Sequence, residues 1–203
     1  GYRVAVFDPD PHAVAGAAAD RHFVSPMIDD AALDEFARTC DAITVETENV
    51  PEAALQRLAQ KVLVAPSARC VAIAQDRIRE KRFINGLGID TAPYAEVHTA
   101  ADLAPERIEG LLPGILKLSR SGYDGKGQAR VNTPAEALAA FQRFGGLPSV
   151  LEAQVPLALE LSVVLARGAD GHIAQWPVSE NRHEAGILDV SVMPARIAPR
   201  LAV

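Results

Sequence analysis

The sequence predicts two regions of different class: an α/β region of short parallel strands, followed by an α+β region in which antiparallel strands dominate. Three observations carry this expectation. Across residues 1–66, brief apolar runs alternate with helical stretches of about ten residues, the pattern of βαβ units around a parallel sheet. From residue 89 onward the strands lengthen, and a glycine-rich loop separates two of them at residues 119–127. Finally, Asp170-Gly171 falls between two apolar stretches, a hairpin signal.

Taken in order, Val4, Ala5, Val6 and Phe7 form a buried-strand run that Asp8-Pro9-Asp10-Pro11 ends, and helical spacing carries residues 13–19. A second strand is expected near residues 22–25, then a helix from Asp29, its N-cap, to Thr39. Residues 42–45 read as a third strand, Pro51 opens a helix at its favoured first position, and residues 62–64 read as a fourth strand. The chain begins inside this pattern, on a strand whose terminal Asp8 suits the second strand of a nucleotide-type fold. The first domain therefore reads as truncated.

Residues 67–87 read as one long helix with Ser67 as N-cap, closed by Gly86 and Gly88. Val71, Ala74, Ile78, Phe83 and Leu87 form its apolar side, Cys70 is expected as a small core residue, and Arg77, Arg79, Lys81 and Arg82 occupy its exposed face. Strands follow at 114–118 and through Arg130, with a helix at 134–144 and further strands near 149–152, 159–166 and 173–178. Trp176 and Met193 are expected to pack.

Composition narrows function. With 203 residues, 49% hydrophobic and 23% charged, the chain is no disordered segment. Its 20 Lys+Arg against 26 Asp+Glu give a net charge of −6, which argues against a broad nucleic-acid surface but leaves room for small phosphorylated ligands. No apolar run approaches the ~18 residues that cross a bilayer, and Arg3 and Asp8 at the start speak against a signal peptide. Cys40 and Cys70 make no framework of bridges and lie in no nucleophile motif, so a cytoplasmic setting is expected.

The informative stretch runs from Lys117 to Gln128. Gly122, Gly125 and Gly127 alternate with Tyr123, Asp124 and Lys126 between two strands, while Lys117, Arg120 and Lys126 supply positive charge. Glycines let backbone N–H groups approach a ligand, so the set suits a polyphosphate. It is no P-loop, because Gly127 follows Lys126 and a strand follows the loop; the spacing is not that of a dinucleotide fingerprint either. A tight glycine hairpin with incidental lysines is the plainer alternative. Further on, Glu152-Ala153-Gln154-Val155 carries a strand into a linker whose backbone groups can read an adenine edge, and Glu160 can accept both ribose hydroxyls. His183 lies in no metal-like spacing. Glu46 and Glu48 suit either the dipole of the helix at Pro51 or a substrate.

Asp76-Arg77, Lys81, Lys117, the loop 122–128, the segment 152–155 and Glu160 together resemble an ATP-grasp enzyme. Tyr123-Asp124 inside the loop, with residues 44–51 and 181–188, is similar to the 5-(carboxyamino)imidazole ribonucleotide synthases, the ATPase subunits of phosphoribosylaminoimidazole carboxylase. The resemblance implies a partial Rossmann-like pre-ATP-grasp domain at 1–66 and the N-terminal part of an ATP-grasp fold at 67–203. Within the latter, a small ATP-lid subdomain would cover about 100–158 and the start of a central sheet about 159–203.

The resemblance also implies a ligase that uses ATP and bicarbonate to carboxylate 5-aminoimidazole ribonucleotide in purine biosynthesis, as a homodimer in the complete protein. Arg77 and Lys117 would hold ATP phosphates, and the backbone of Gly122, Tyr123, Asp124, Gly125, Lys126, Gly127 and Gln128 would close over them. Glu152 to Val155, with Ala153 and Gln154 between, would meet adenine, Glu160 the ribose, and His183 would lie beside the nucleotide. Tyr123, Asp124 and Lys126 would face the aminoimidazole as catalytic groups. The family's first glycine loop would precede Gly1 and its Mg²⁺ carboxylates would follow Val203, so no metal ligand is expected in this chain and the chain alone is expected to be inactive. Two alternatives stay open: another ATP-grasp ligase, such as the formate-dependent glycinamide ribonucleotide transformylase or biotin carboxylase, and a non-catalytic nucleotide-binding module.

Overall fold

The computed structural model describes residues 1–122, 127–184 and 187–198. The first region follows the expected alternation: β1 (Ala5–Phe7), α1 (Val14–Ala18), β2 (Arg21–Phe23), α2 (Asp30–Thr39), β3 (Ala42–Ile43), α3 (Glu52–Ala59) and β4 (Leu63–Val64). β1 pairs with β2 and β3 with β4, both parallel, because a helix returns the chain to the same edge each time. The strands are only two or three residues long and form two separate two-stranded ladders. Their shared core is helical and aromatic. Phe7, Phe23 and Phe36 meet with centroids 5.3–6.5 Å apart, and Leu33, Leu55, Leu58 and Val71 pack around them.

Asp29 caps α2 by accepting the N–H groups of Ala31 and Ala32, as the sequence predicts. Pro51 is itself the cap residue of α3, one position before the expected N1, and makes no side-chain cap bond. The sequence predicts one helix over 67–87; the structure has two. α4 (Ala68–Ala74) begins at the Ser67 cap, and α5 (Arg77–Gly86) begins afresh at Asp76, whose backbone is extended (φ −133°, ψ 107°). The break resets the helical phase, so a single 3.6-residue pattern cannot describe both faces. Cys70 is accordingly exposed, on the side of α4 away from buried Val71 and Ala72. Phe83 and Leu87 are exposed too, whereas Lys81, expected on the solvated face, is buried beside Ile78.

Next come β5 (Tyr94–Val97), the short α6 (Pro105–Ile108), β6 (Gly114–Leu118), β7 (Gln128–Val131), α7 (Pro134–Arg143) and β8 (Ser149–Ala153). Four strands form one antiparallel sheet in the order β5-β8-β6-β7. Side chains alternate across a sheet. One face presents Val97, Leu116, Val131 and Leu151 to Ala137, Ala140 and Phe141 of α7, a core in which most members are fully buried. The opposite face presents Tyr94 and Glu96 of β5, Glu152 of β8, Lys117 of β6 and Gln128 of β7, by the register of the ladders. It is the polar face, and α5 lies along it.

The remaining strands are β9 (Glu160–Ser162), β10 (Leu165–Arg167), β11 (Ile173–Gln175), β12 (Ser179–Glu184) and β13 (Ile187–Val192). β10 and β11 form the hairpin announced by Asp170-Gly171, Gly171 adopting φ +84°. The single strand expected at 159–166 is two strands belonging to different sheets, since β9 joins β12 and β13. Trp176 and Met193 are half exposed among the described residues rather than packed. No helix of the described residues is long and apolar enough to cross a membrane.

Candidate functional site

The root of the glycine loop is built from the helix break. Because α5 starts at Asp76, that carboxylate caps its own helix through the N–H groups of Ile78 and Arg79 and accepts a further hydrogen bond from Ser119 Oγ at the end of β6. Arg77 N–H donates to Ser119 O at 2.9 Å, and its guanidinium donates to Leu118 O at 2.9 Å and Gly122 O at 2.8 Å. Burial opposes ionisation of Asp76, but the Ser119 hydroxyl, the two helix N–H groups and the nearby Arg120 charge outweigh it and hold its carboxyl below the ordinary range. Gln75 extends the anchorage, accepting from Arg120 and donating to Val50 O. The loop is thus pinned at its first residues to the junction between the two regions.

At its far end, Gly127 has φ +69° and its carbonyl accepts Leu118 N–H at 2.8 Å. The left-handed backbone selects glycine here, and a Cβ would stand 2.9 Å from Leu118 Cδ1, so the leucine side chain would have to shift. Gln128 follows as the exposed first residue of β7, opposite Lys117. Tyr123, Asp124, Gly125 and Lys126 lie outside the described residues.

On the polar face, Lys117 Nζ stands 2.8 Å from Glu152 Oε2 and Lys81 Nζ 3.3 Å from Glu152 Oε1. Lys81 Nζ also lies 5.0 Å from the Tyr94 ring centroid. The side chains are 25%, 15% and 11% exposed for Lys117, Glu152 and Lys81. Burial acts to raise the Glu152 carboxyl, but the Lys117 hydrogen bond and charge, then those of Lys81, win and hold it below its usual range. Two ammonium groups around one carboxylate leave one positive charge over, which suits an incoming anion. Beyond Glu152, the N–H groups of Ala153 and Gln154 are engaged by the carbonyls of Pro93 and Pro113, so among the described residues the amide the segment still offers is that of exposed Val155.

A second cluster lies on the β9–β12 ladder. Glu160 pairs in register with Asn181, and Glu160 Oε1 stands 3.2 Å from His183 Nδ1, beside an irregularity between Arg182 and His183. A cleft of about 450 Å³ is lined there by residues including Leu159, Glu160, Asn181 and His183. No hydrogen bond or ion pair among the described residues joins this cluster to the one around Glu152. Among the described residues no group of three or more His, Cys, Asp or Glu side chains could hold a metal ion.

Sequence reasoning names Lys81 only within the resemblance, with no role and on the exposed face, and it misses Ser119 and Gln75 as members of the site. For Lys81 the available signal is its spacing of i+3 from buried Ile78, which puts both on one helix face.

An antiparallel sheet with one apolar face and a lysine–glutamate cluster on the other, its glycine loop anchored at both ends, defines a class, and the chain belongs to it. Residues 82–202 match the model of the ATP-grasp domain, so this protein is a member of the ATP-grasp family; residues 1–75 match the ribonucleotide synthetase preATP-grasp domain. More narrowly, it is 40% identical over its whole length to the N5-carboxyaminoimidazole ribonucleotide synthase of Brucella melitensis, covering 56% of that protein. The crystal structure of the synthetase from Thermus thermophilus superposes with a TM-score of 0.88 at 38% identity, over 99% of this chain and 54% of that one. The Aspergillus clavatus synthase, solved with ADP and 5-aminoimidazole ribonucleotide, gives 0.80 at 25% identity, over 98% and 52%. The chain spans about half the length of the relatives it matches.

Proposed function

We propose that this chain is the nucleotide-gripping part of an enzyme that uses ATP and bicarbonate to carboxylate 5-aminoimidazole ribonucleotide in purine biosynthesis, in the cytoplasm and as a homodimer when complete. The observation that carries this reading is the uncompensated positive charge of Lys117 and Lys81 around Glu152, at the root of a loop anchored by Arg77 and Gly127. It is supported by the similarity to synthases of that name along the whole chain. The proposed domains are the pre-ATP-grasp unit at 1–66 and the ATP-grasp unit from 67, with a lid subdomain at about 100–158 and the start of the central sheet at about 159–203.

In this reading Lys117 leaves Glu152 for the ATP phosphates, and Arg77, which already fixes the carbonyls of Leu118 and Gly122, contributes its remaining N–H donors. Backbone amides of 122–128 close over the triphosphate. Glu152 and the Val155 amide meet adenine, Glu160 accepts the ribose hydroxyls, and His183 orients Glu160 through their 3.2 Å contact. ATP would activate bicarbonate as carboxyphosphate. Asp124 would then accept a hydrogen bond from the exocyclic amine of the ribonucleotide and aim its lone pair at the carboxyl carbon, with Tyr123 holding the ring. Lys126 would offset the charge of the phosphate that departs. Mg²⁺ would be bound by groups other than the described residues.

Phosphate release by a protein carrying the family's full length tests the reaction: bicarbonate plus 5-aminoimidazole ribonucleotide should stimulate it, and formate plus glycinamide ribonucleotide should not. Stimulation by the second pair alone would replace this reading with the transformylase. Calorimetric titration of the present chain with ATP should give weak binding that is indifferent to Mg²⁺. Tight, Mg²⁺-dependent binding would reveal a metal site within the chain itself.

A further inference from the structure

Lys81 is the most deeply placed cation of the polar face, yet neither its sequence position nor the proposed chemistry gives it a ligand. Its ammonium holds Glu152 Oε1, leaving Oε2 to Lys117, and the Tyr94 ring flanks it 5.0 Å away. Lys117 is the more exposed of the two lysines and stands on the strand that runs into the glycine loop. The two lysines therefore have unequal situations: one is fixed behind the carboxylate, and the other can reach a ligand.

We propose that Lys81 is a positioning residue that keeps Glu152 neutralised, so that Lys117 is free to leave it for a nucleotide phosphate. The inference rests on the proposed role of Lys117 and adds the reason that role is possible. A carboxylate this enclosed is strongly unfavourable without a cationic partner. With Lys117 as sole partner, drawing it away to a phosphate would strand that charge, so Glu152 would retain the lysine and compete with the ligand. With Lys81 in place one ammonium remains on Glu152 whichever way Lys117 turns. The same contact keeps the Glu152 carboxylate at the start of the segment 152–155, in place for adenine.

The test titrates the 203-residue chain with two probes, ATP and inorganic tripolyphosphate, the second reporting on phosphate alone. Lys81→Met should weaken tripolyphosphate binding by roughly tenfold or more, while Lys81→Arg, which keeps the charge, should stay within about threefold of the parent. The decisive variant combines Lys81→Met with Glu152→Gln. It removes both the neutralising cation and the need for it, so tripolyphosphate affinity should return to within about threefold of the parent, with ATP binding still impaired because the Glu152 carboxylate proposed to meet adenine is gone. A purely structural role would give no such recovery. A double variant as weak as Lys81→Met, or a folded Lys81→Met that binds tripolyphosphate like the parent, overturns the inference and leaves the proposed function standing. A parent chain that binds neither probe removes the proposed function itself. Should Lys81→Met fail to fold, the double variant and Lys81→Arg still decide.

Discussion

The four-stranded sheet β5-β8-β6-β7 and the three-stranded sheet β13-β12-β9 are both antiparallel, yet they hold together differently. In the first, α7 covers one face, so Leu116, Val131 and Leu151 are fully buried. In the second, Leu161, Ile187, Leu188 and Val190 remain exposed among the described residues, and Ser179 is the buried residue of the ladder. Ladder hydrogen bonds alone do not make a stable sheet in water; a covered apolar face supplies most of the difference. The catalytic proposal draws on both sheets, so the half built on β5-β8-β6-β7 should be far more rigid than the Glu160–His183 half.

Substitutions sharpen that contrast, beginning with the largest effect. Leu116→Ala should cost about 3 kcal/mol in urea denaturation, whereas Leu161→Ala should cost no more than about 0.5 kcal/mol. Equal losses would show that the second sheet is packed after all. Asp76→Ala removes the cap of α5 together with the Ser119 bond and should cost about 1–2 kcal/mol. The exposed cap Asp29→Ala should cost about half as much, and it should leave nucleotide binding untouched, which Asp76→Ala should not. Gly127→Ala should destabilise by about 1 kcal/mol and weaken ATP binding by more than that figure implies, because the loop root shifts with it; Gly171→Ala, at a left-handed turn in open space, should affect stability alone.

Acid gives the smallest effect. The Glu152 and Asp76 carboxyls are held below their ordinary values in the folded protein. Their contribution is therefore complete above the unfolded values of about 4.3 and 3.9 and is lost as pH falls through the lower folded ones. Denaturation midpoints followed from about pH 7 to about pH 3 should decline in the acid limb, and Glu152→Gln should flatten that decline. A variant with the parent's slope would mean that the lysine clamp does not contribute.

Much of the fold could be read from the sequence where the cause is local. Asp29 and Ser67 were legible as caps because a side chain bonding the backbone two or three residues on needs nothing distant. The parallel direction of the first strands follows from the helices between them, and the strand 114–118 was legible from its apolar run. The polar strand β12, by contrast, carries Ser179-Glu180-Asn181-Arg182-His183-Glu184 with no apolar alternation, so its pairing could not be anticipated. Of the candidate site, the residue types at 117–128 announced a polyphosphate, but the partners did not. The resemblance assigns Lys117 and Glu152 to different parts of a nucleotide, and the structure pairs them with each other.

The amino-acid order alone determined the class of each region, the capped helix starts, the glycine loop and the cations beside it, since each depends on neighbours within a turn or a strand. Tertiary structure alone decided that α4 and α5 part at Asp76, that Lys81 turns inward, and that one carboxylate holds two lysines. Those outcomes depend on how burial in a sheet face trades against charge, a balance set by groups that meet only after the chain has folded.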